Sequence, residues 1–297
     1  MKYRTFSFTD NIYEWLSRKS QGIEADTKKI EDCLNSDAPC LIARYGSVEL
    51  QALLLMRYIP FSLPIARRSF RHMKNNAGFF PVSFGNLRKF YNRYKEDTKL
   101  LDLLISWRIE ELFLRSWFAN KLQVKKTTFD YFFRQERPWT YALKDKKILV
   151  VHPFAETIED QYYRKRELLF KNKKVLPEFK SLQTIKAVQS IAGNPVGFDT
   201  WFDALEWMKH EINNKDFDIA LIGCGAYALP LAAHVKRLGK KGVHMGGVLQ
   251  FLFGIKSVRY EEDEEYVPYI NEHFVYPRES DKPKNASLVE GGCYWGR

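Results

Sequence analysis

Long apolar runs are missing from this 297-residue sequence. No stretch reaches the roughly eighteen uncharged hydrophobic residues that a spanning helix needs, and the opening Met1-Lys2-Tyr3-Arg4-Thr5 leads into mixed sequence without the apolar core of a secretion signal. A cytoplasmic protein is expected. Cysteine is sparse: Cys33, Cys40, Cys224 and Cys293 have no C-x-x-C spacing, which argues against a zinc site or a disulfide framework and for buried, reduced thiols. Neither a G-x-S-x-G elbow nor a Walker A loop occurs, so the hydrolase and P-loop readings fall away. No internal repeat or low-complexity linker is visible, and one unit spanning 1–297 is expected. Acidic residues are outnumbered, 36 against 47 basic, leaving a formal net charge of +11. Such a balance suits an anionic partner: nucleic acid, an anionic membrane surface or a polyanionic small substrate. The basic residues are dispersed and no nucleic-acid module surrounds them, so nucleic acid is not expected.

What is present reads as alternating elements. Helical spacing of Ile12, Trp15, Leu16, Ile23, Ile30 and Leu34 predicts two helices broken near Gln21-Gly22, a helical collar over 1–39. Pro39 to Gly46 reads as a strand and glycine turn, and Ser47 to Met56 as the helix that follows. Residues 60–82, with Pro60, Pro64, Gly78 and Pro81, read as a loop carrying Arg67, Arg68, Arg71 and His72, placed to cover an anionic ligand. Residues 83–143 read as mostly helical, with Leu100 to Ile105 and Leu112 to Leu114 as core faces and Trp107, Trp117 and Trp139 as core residues. The first part, 40–145, thus contains a helical insertion.

The stretch 146–260 is clearer. Strands are predicted at Lys147 to Pro153, Thr184 to Ile191, Phe217 to Gly223 and Gly242 to Met245. Helices are predicted over Thr157 to Asn172, over Asp199 to Ile212 with Asp199 or Thr200 as N-cap, and over Leu229 to Leu238. This alternation argues for an α/β, Rossmann-like, doubly wound and mostly parallel sheet with an added helical N-terminal region. Residues 261–297 read as a wrapping tail, of which 277–297 either closes over a site or packs, with packing favoured.

Ligands of such sheets bind beyond the carboxyl ends of the strands, where three glycine turns are expected to converge: Arg44-Tyr45-Gly46, Gly223-Cys224-Gly225 and His244-Met245-Gly246-Gly247. Glycines between strand and helix let backbone amides approach a phosphate. The Gly223 turn lacks the third glycine of G-x-G-x-x-G, where Ala228 stands, and no acidic residue closes the next strand, so NAD is disfavoured. Arg44 can hold a phosphate, while Glu49 can serve as a base, a metal carboxylate or only a complement to the helix dipole. His152 and His244, each at a strand end, are substrate contacts or satisfied structural histidines. They lack the spacing of a histidine-held metal.

At Leu41-Ile42-Ala43-Arg44-Tyr45-Gly46-Ser47-Val48-Glu49-Leu50 the sequence resembles the signature of the GT-D type glycosyltransferases. Asp218 to Tyr227, through Leu238 to Gly247, is similar to that family's second nucleotide-binding segment. The stretch 146–256, with His152-Pro153-Phe154, also resembles proteins of bacterial surface-polysaccharide gene clusters. The resemblance implies a Rossmann-like fold, a nucleotide-sugar donor and a divalent cation, Mn²⁺ or Mg²⁺, held by an Asp-x-Glu pair. Arg44, Gly46 and Glu49 match, whereas Ser47 stands where the family has aspartate and Val48 where it has glycine. Glu49 is then the one remaining metal carboxylate, a weaker holder of a hard cation than a pair.

The expected activity is sugar transfer from a nucleotide sugar to a glycan or lipid-linked glycan acceptor, peripheral to the inner membrane face. Glu49 and His152 would be catalytic. Arg44, Gly46, Ser47, Arg67, Arg71, Gly223, Gly225, Ala226, Tyr227, His244, Gly246 and Gly247 would hold the substrate. The alternatives are a non-catalytic nucleotide- or glycan-binding subunit, or another phosphate-handling transferase.

Overall fold

The structure is a computed structural model that describes residues 22–58 and 63–295. The first expected helix, over Ile12 to Leu16, lies outside them. Strands β1 (Cys40–Ala43), β2 (Leu103–Ser106), β3 (Leu122–Lys125), β4 (Lys147–His152), β5 (Ser181–Lys186), β6 (Ile219–Ile222) and β7 (Lys241–His244) form one seven-stranded sheet. Its order is β3-β2-β1-β7-β6-β4-β5, and every pairing is parallel. Because both faces of the sheet are covered, the central strands read as continuous apolar runs rather than alternating ones: β1 and β6 are buried at every residue.

Helices α1 (Ile23–Asn35), α2 (Ser47–Tyr58), α3 (Leu63–Asn75), α4 (Phe84–Thr98), α5 (Lys126–Asp130), α6 (Ala155–Leu169), α7 (Trp201–Asn213), α8 (Ala228–Arg237) and α9 (Val248–Leu252) flank it. One layer packs α1, α5, α6 and α9 on Ile42, Leu103, Val150, Leu221 and Val243. The other packs α2, α4, α7 and α8 on Leu41, Leu104, Leu149 and Ala220. Crossovers that move one way along the sheet use one layer and those that move back use the other, so a single handedness is kept throughout. Each fully buried Leu, Ile or Val in these layers contributes about 1.5–3 kcal/mol, against about 0–1 kcal/mol for an exposed ion pair such as Lys28–Asp32. Burial decides the fold.

The doubly wound parallel sheet is as the sequence predicts, and β4, β6, β7, α2, α6, α7 and α8 fall within a few residues of their expected places. Thr200 caps α7 in a reciprocal box: its amide donates to the Asp203 carboxylate (2.9 Å) and its hydroxyl accepts from the Asp203 amide (3.2 Å). Three expectations are corrected. Residues 63–75 are the helix α3, not a loop; Pro64 falls in its first turn, where a missing N–H is harmless. Leu103–Ser106 and Leu122–Lys125 are strands, because segments of four residues show too little period to mark them and pairing decides it, β2 with β1 and β3 with β2. The strand expected at Thr184–Ile191 begins and ends earlier, at Ser181–Lys186.

Gly242 of β7 faces α8 so closely that a β-carbon there would lie 2.8 Å from the Ala232 Cα. Gly242→Ala is therefore expected to cost about 1–3 kcal/mol or more by overpacking, read as a lower urea midpoint with an unchanged m-value.

Candidate functional site

Topology fixes where a ligand can enter. After β1 the chain turns to α2 in one layer, and after its neighbour β7 it turns to α9 in the other, so the backbone parts between their carboxyl ends. Arg44 leaves β1 at this point. Its guanidinium lies over Gly246, where any side chain would strike it and where the backbone has φ +66°, a conformation that favours glycine. Gly246 in turn meets Gly223 across the crevice, since a β-carbon on Gly223 would stand 2.7 Å from the Gly246 carbonyl and 2.9 Å from His152 Cδ2. Arg44, His152, Gly223 and Gly246 are thus brought together.

The cluster contains groups that the sequence reading missed. Asp130, at the end of α5, accepts two hydrogen bonds from Arg44 Nη1 (3.0 and 3.1 Å) and an ion pair from Lys126 Nζ (2.8 Å). The Arg44 and Asp130 side chains are 12% and 4% exposed. Burial alone would push the Asp130 carboxyl up, but the two cations outweigh it and hold the group below the usual carboxylate range. Burial lowers Lys126, with Asp130 opposing. Arg259 and half-buried Asp263 add one charge of each sign nearby. Arg44 and Lys126, each with a side chain 12% exposed, converge on one carboxylate at the crevice, which sets positive charge where water is scarce. Trp107, after β2, completes this wall. Its indole N–H donates to the Tyr45 carbonyl (2.9 Å), and Lys126 Nζ lies 5.6 Å from its ring centre. Trp107 is half-buried beside the cluster rather than a core residue, whereas Trp139 is wholly buried as expected.

Both histidines are buried and neutral. Desolvation lowers each from 6.5 to about 3, and for His244 the Arg44 charge adds to it. His152 Nδ1 accepts from the Phe154 amide (3.0 Å), so its proton sits on Nε2 and the ring can only donate further. His244 sits beside the Arg44 charge, and its Nδ1 is buried without a protein partner. Nδ1 is thus a buried polar atom with an open hydrogen-bonding position beside the crevice.

The remaining predicted residues are placed as follows. The Glu49 carboxylate curls back over Gly46 and is nearly wholly buried, in the first turn of α2 where it complements the helix dipole. Ser47 and Gly46 are half-buried. Gly225 opens a single turn, with φ +58°, ahead of α8. Ala226 is held from behind by Tyr94, whose hydroxyl donates to its carbonyl (2.7 Å). The Tyr227 ring stacks on Trp201 (4.8 Å) and its hydroxyl meets Ser190 (3.0 Å), which makes it a packing residue. Burial pushes the Cys224 thiol up, which keeps it protonated and inert as a nucleophile. Tyr260 donates to the Gly247 carbonyl (2.7 Å), and Tyr294 of the tail rests on the same glycine. Trp295 is anchored nearby by its indole N–H on the Asp281 carbonyl (3.0 Å). Arg67 and Arg71 are exposed on α3, outside the hydrogen-bonded set built around Arg44.

The donor set does not suit a divalent cation held by the protein. Among the described residues no three His, Cys, Asp or Glu side chains converge as metal ligands, and Asp130 is already shared by Arg44 and Lys126.

No protein-family model and no curated protein matches the chain. One solved structure, described as a new glycosyltransferase from Streptococcus sanguinis, resembles it over 89% of this chain and 96% of the other, at 12% identity and a TM-score of 0.36. A likeness that low carries no weight for function, and the fold class rests on the sheet itself.

Two outcomes follow from the buried charges. The histidines fold with pKa values below their unfolded value near 6.5, so the unfolded chain binds more protons between about pH 3 and 6.5. Stability should be complete above pH 6.5 and fall with acidification by up to about 1.4 kcal/mol per pH unit per histidine. Urea unfolding at stepped pH checks this, and His152→Asn should flatten the slope. Asp130→Asn, which strands two largely covered cations, should cost about 3–5 kcal/mol by the same measurement.

Proposed function

We propose that the chain is a glycosyltransferase that takes a nucleotide sugar as donor. The observation that carries the reading is the convergence of two largely covered cations, Arg44 and Lys126, on Asp130 at the parting of β1 and β7. Largely covered positive charge favours a polyanion, and a sugar nucleotide brings a diphosphate that gains charge as the glycosidic bond breaks. The similarity of Leu41–Leu50 and Asp218–Gly247 to the GT-D signature supports a donor of this kind.

In this reading Arg44 and Lys126 bind the diphosphate and stabilise it as leaving group, and the amides of the Gly223–Ala226 turn approach it from β6. His244 Nδ1 hydrogen-bonds a sugar or ribose hydroxyl, and His152 donates from Nε2. Glu49 fixes the turn that aims Arg44, rather than reaching the acceptor. Trp107 offers an aromatic face for the base or the sugar. Since the donor set does not fit a metal, no step is assigned to one; Mn²⁺ or Mg²⁺ would enter with the substrate phosphates. A second reading, a nucleotide-binding subunit without catalysis, draws support from the burial of Glu49, the residue first expected to act as base.

Thermal unfolding against UDP, GDP, CMP, dTDP and NAD, each with and without Mn²⁺, tests the donor site, since a ligand at a hundredfold its Kd stabilises by about 2.7 kcal/mol. One nucleoside diphosphate should stabilise the protein. Lys126→Met removes one cation while leaving the Arg44–Asp130 pair, so it should still fold, at some cost in stability, yet bind that diphosphate about 10–100-fold more weakly. No stabilisation, or stabilisation by NAD alone, would sink the proposal. Tight binding without donor hydrolysis or transfer would select the second reading.

A further inference from the structure

Away from the crevice, the layer built by α2, α3 and α4 carries an unusual charge distribution. Between Glu49 and Glu96 the sequence has no acidic residue and nine arginines and lysines. Of these, Arg67, Arg68, Arg71, Lys74, Lys89 and Lys95 are exposed.

Aromatic rings and guanidinium groups alternate along the outer surface of the same layer. Arg88 lies over Phe84 and over Tyr91 (both 5.7 Å to the ring centre), and Tyr91 meets Trp117 edge-on at 5.4 Å. Arg57 lies over Trp117 (5.7 Å) and over Tyr58 (5.2 Å), and Tyr58 meets Phe113 at 6.2 Å. Far from being buried by these contacts, Tyr58 and Phe113 remain 53% and 59% exposed, with Leu112 and Arg115 exposed beside them. The nearest acids are already engaged: Arg108 holds Glu110, and Glu111 is buried and accepts from Ser106.

Scattered exposed hydrophobics need no explanation, but a connected one rimmed by uncompensated cations does. Rings that hold one edge in water and one in an apolar phase, with arginines at the same level, match the boundary between lipid headgroups and acyl chains. The charge selects anionic lipids, to which basic residues near the surface are drawn. Among the described residues no helix is long and apolar enough to cross a membrane, so the contact is peripheral. We infer that the face formed by the end of α2, the 109–117 segment and the start of α4 docks on an anionic lipid bilayer. The inference stands apart from the proposed activity and does not depend on it.

Co-flotation with phosphatidylcholine vesicles, with and without phosphatidylglycerol, tests it. The protein should float with the anionic vesicles alone and be released as salt rises. Arg115→Glu should weaken this partitioning about tenfold or more, and the uncharged change Phe113→Ser should weaken it too. Lys171→Glu, an equal charge change at an exposed position outside this face, should have little effect. Circular dichroism and thermal midpoints, unchanged in all three variants, would show that they are folded. No flotation, equal flotation on phosphatidylcholine, or equal loss from Lys171→Glu and Arg115→Glu would overturn the assignment, as would insensitivity to Phe113→Ser.

Discussion

The ion pair between Arg44 and Asp130 ties together, beyond the strand ends, segments that the sheet brings side by side. Arg44 follows β1, Asp130 ends the short helix after β3, and the guanidinium between them rests on the Gly246 turn after β7. A carboxylate that is 4% exposed is stable there only because its cations are present, and Arg44 can lie flat over the turn only because residue 246 has no side chain. From this contact follow the position of Lys126 and the neutrality of His244, whose ring is desolvated beside the same guanidinium.

Much of the fold could be read from the sequence because the sheet is parallel and covered on both sides, which turns β4 and β6 into apolar runs followed by proline or glycine, while β7 is marked by the glycines that flank it. The same physics hid β2 and β3: four residues are too few to show a period, and Leu103–Ile105 continues the apolar stretch begun at Leu100. Proline misled at α3, where Pro64 opens a helix rather than interrupting one.

The candidate site was legible in part. Arg44, Gly223, Gly246, His152 and His244 are each marked by a strand end, and the structure brings them together. Asp130 and Lys126 come from a segment, Lys125-Lys126-Thr127-Thr128-Phe129-Asp130, with no motif. Only the Lys126–Asp130 spacing of one helical turn after the apolar Val124 could have flagged it. Tyr227 and Cys224 lie within the expected glycine turn but face the core, because a turn displays its backbone to a crevice more readily than its side chains. Arg67 and Arg71 depended on a loop that proved to be a helix.

Cys40 of β1 pairs with Lys241 of β7, so the centre of the sheet is a seam between residues far apart along the chain. Closing so long a loop is entropically costly, and pairings of that separation tend to form late in folding. The crevice lies on this seam. Arg44 and Gly246 therefore meet only when the two halves of the sheet have joined, and a partly folded chain with its first three strands in place would hold Arg44, Lys126 and Asp130 but no floor beneath them. Selective anion recognition would then report completed folding more faithfully than helix content does, since helices of both layers can form before the seam closes.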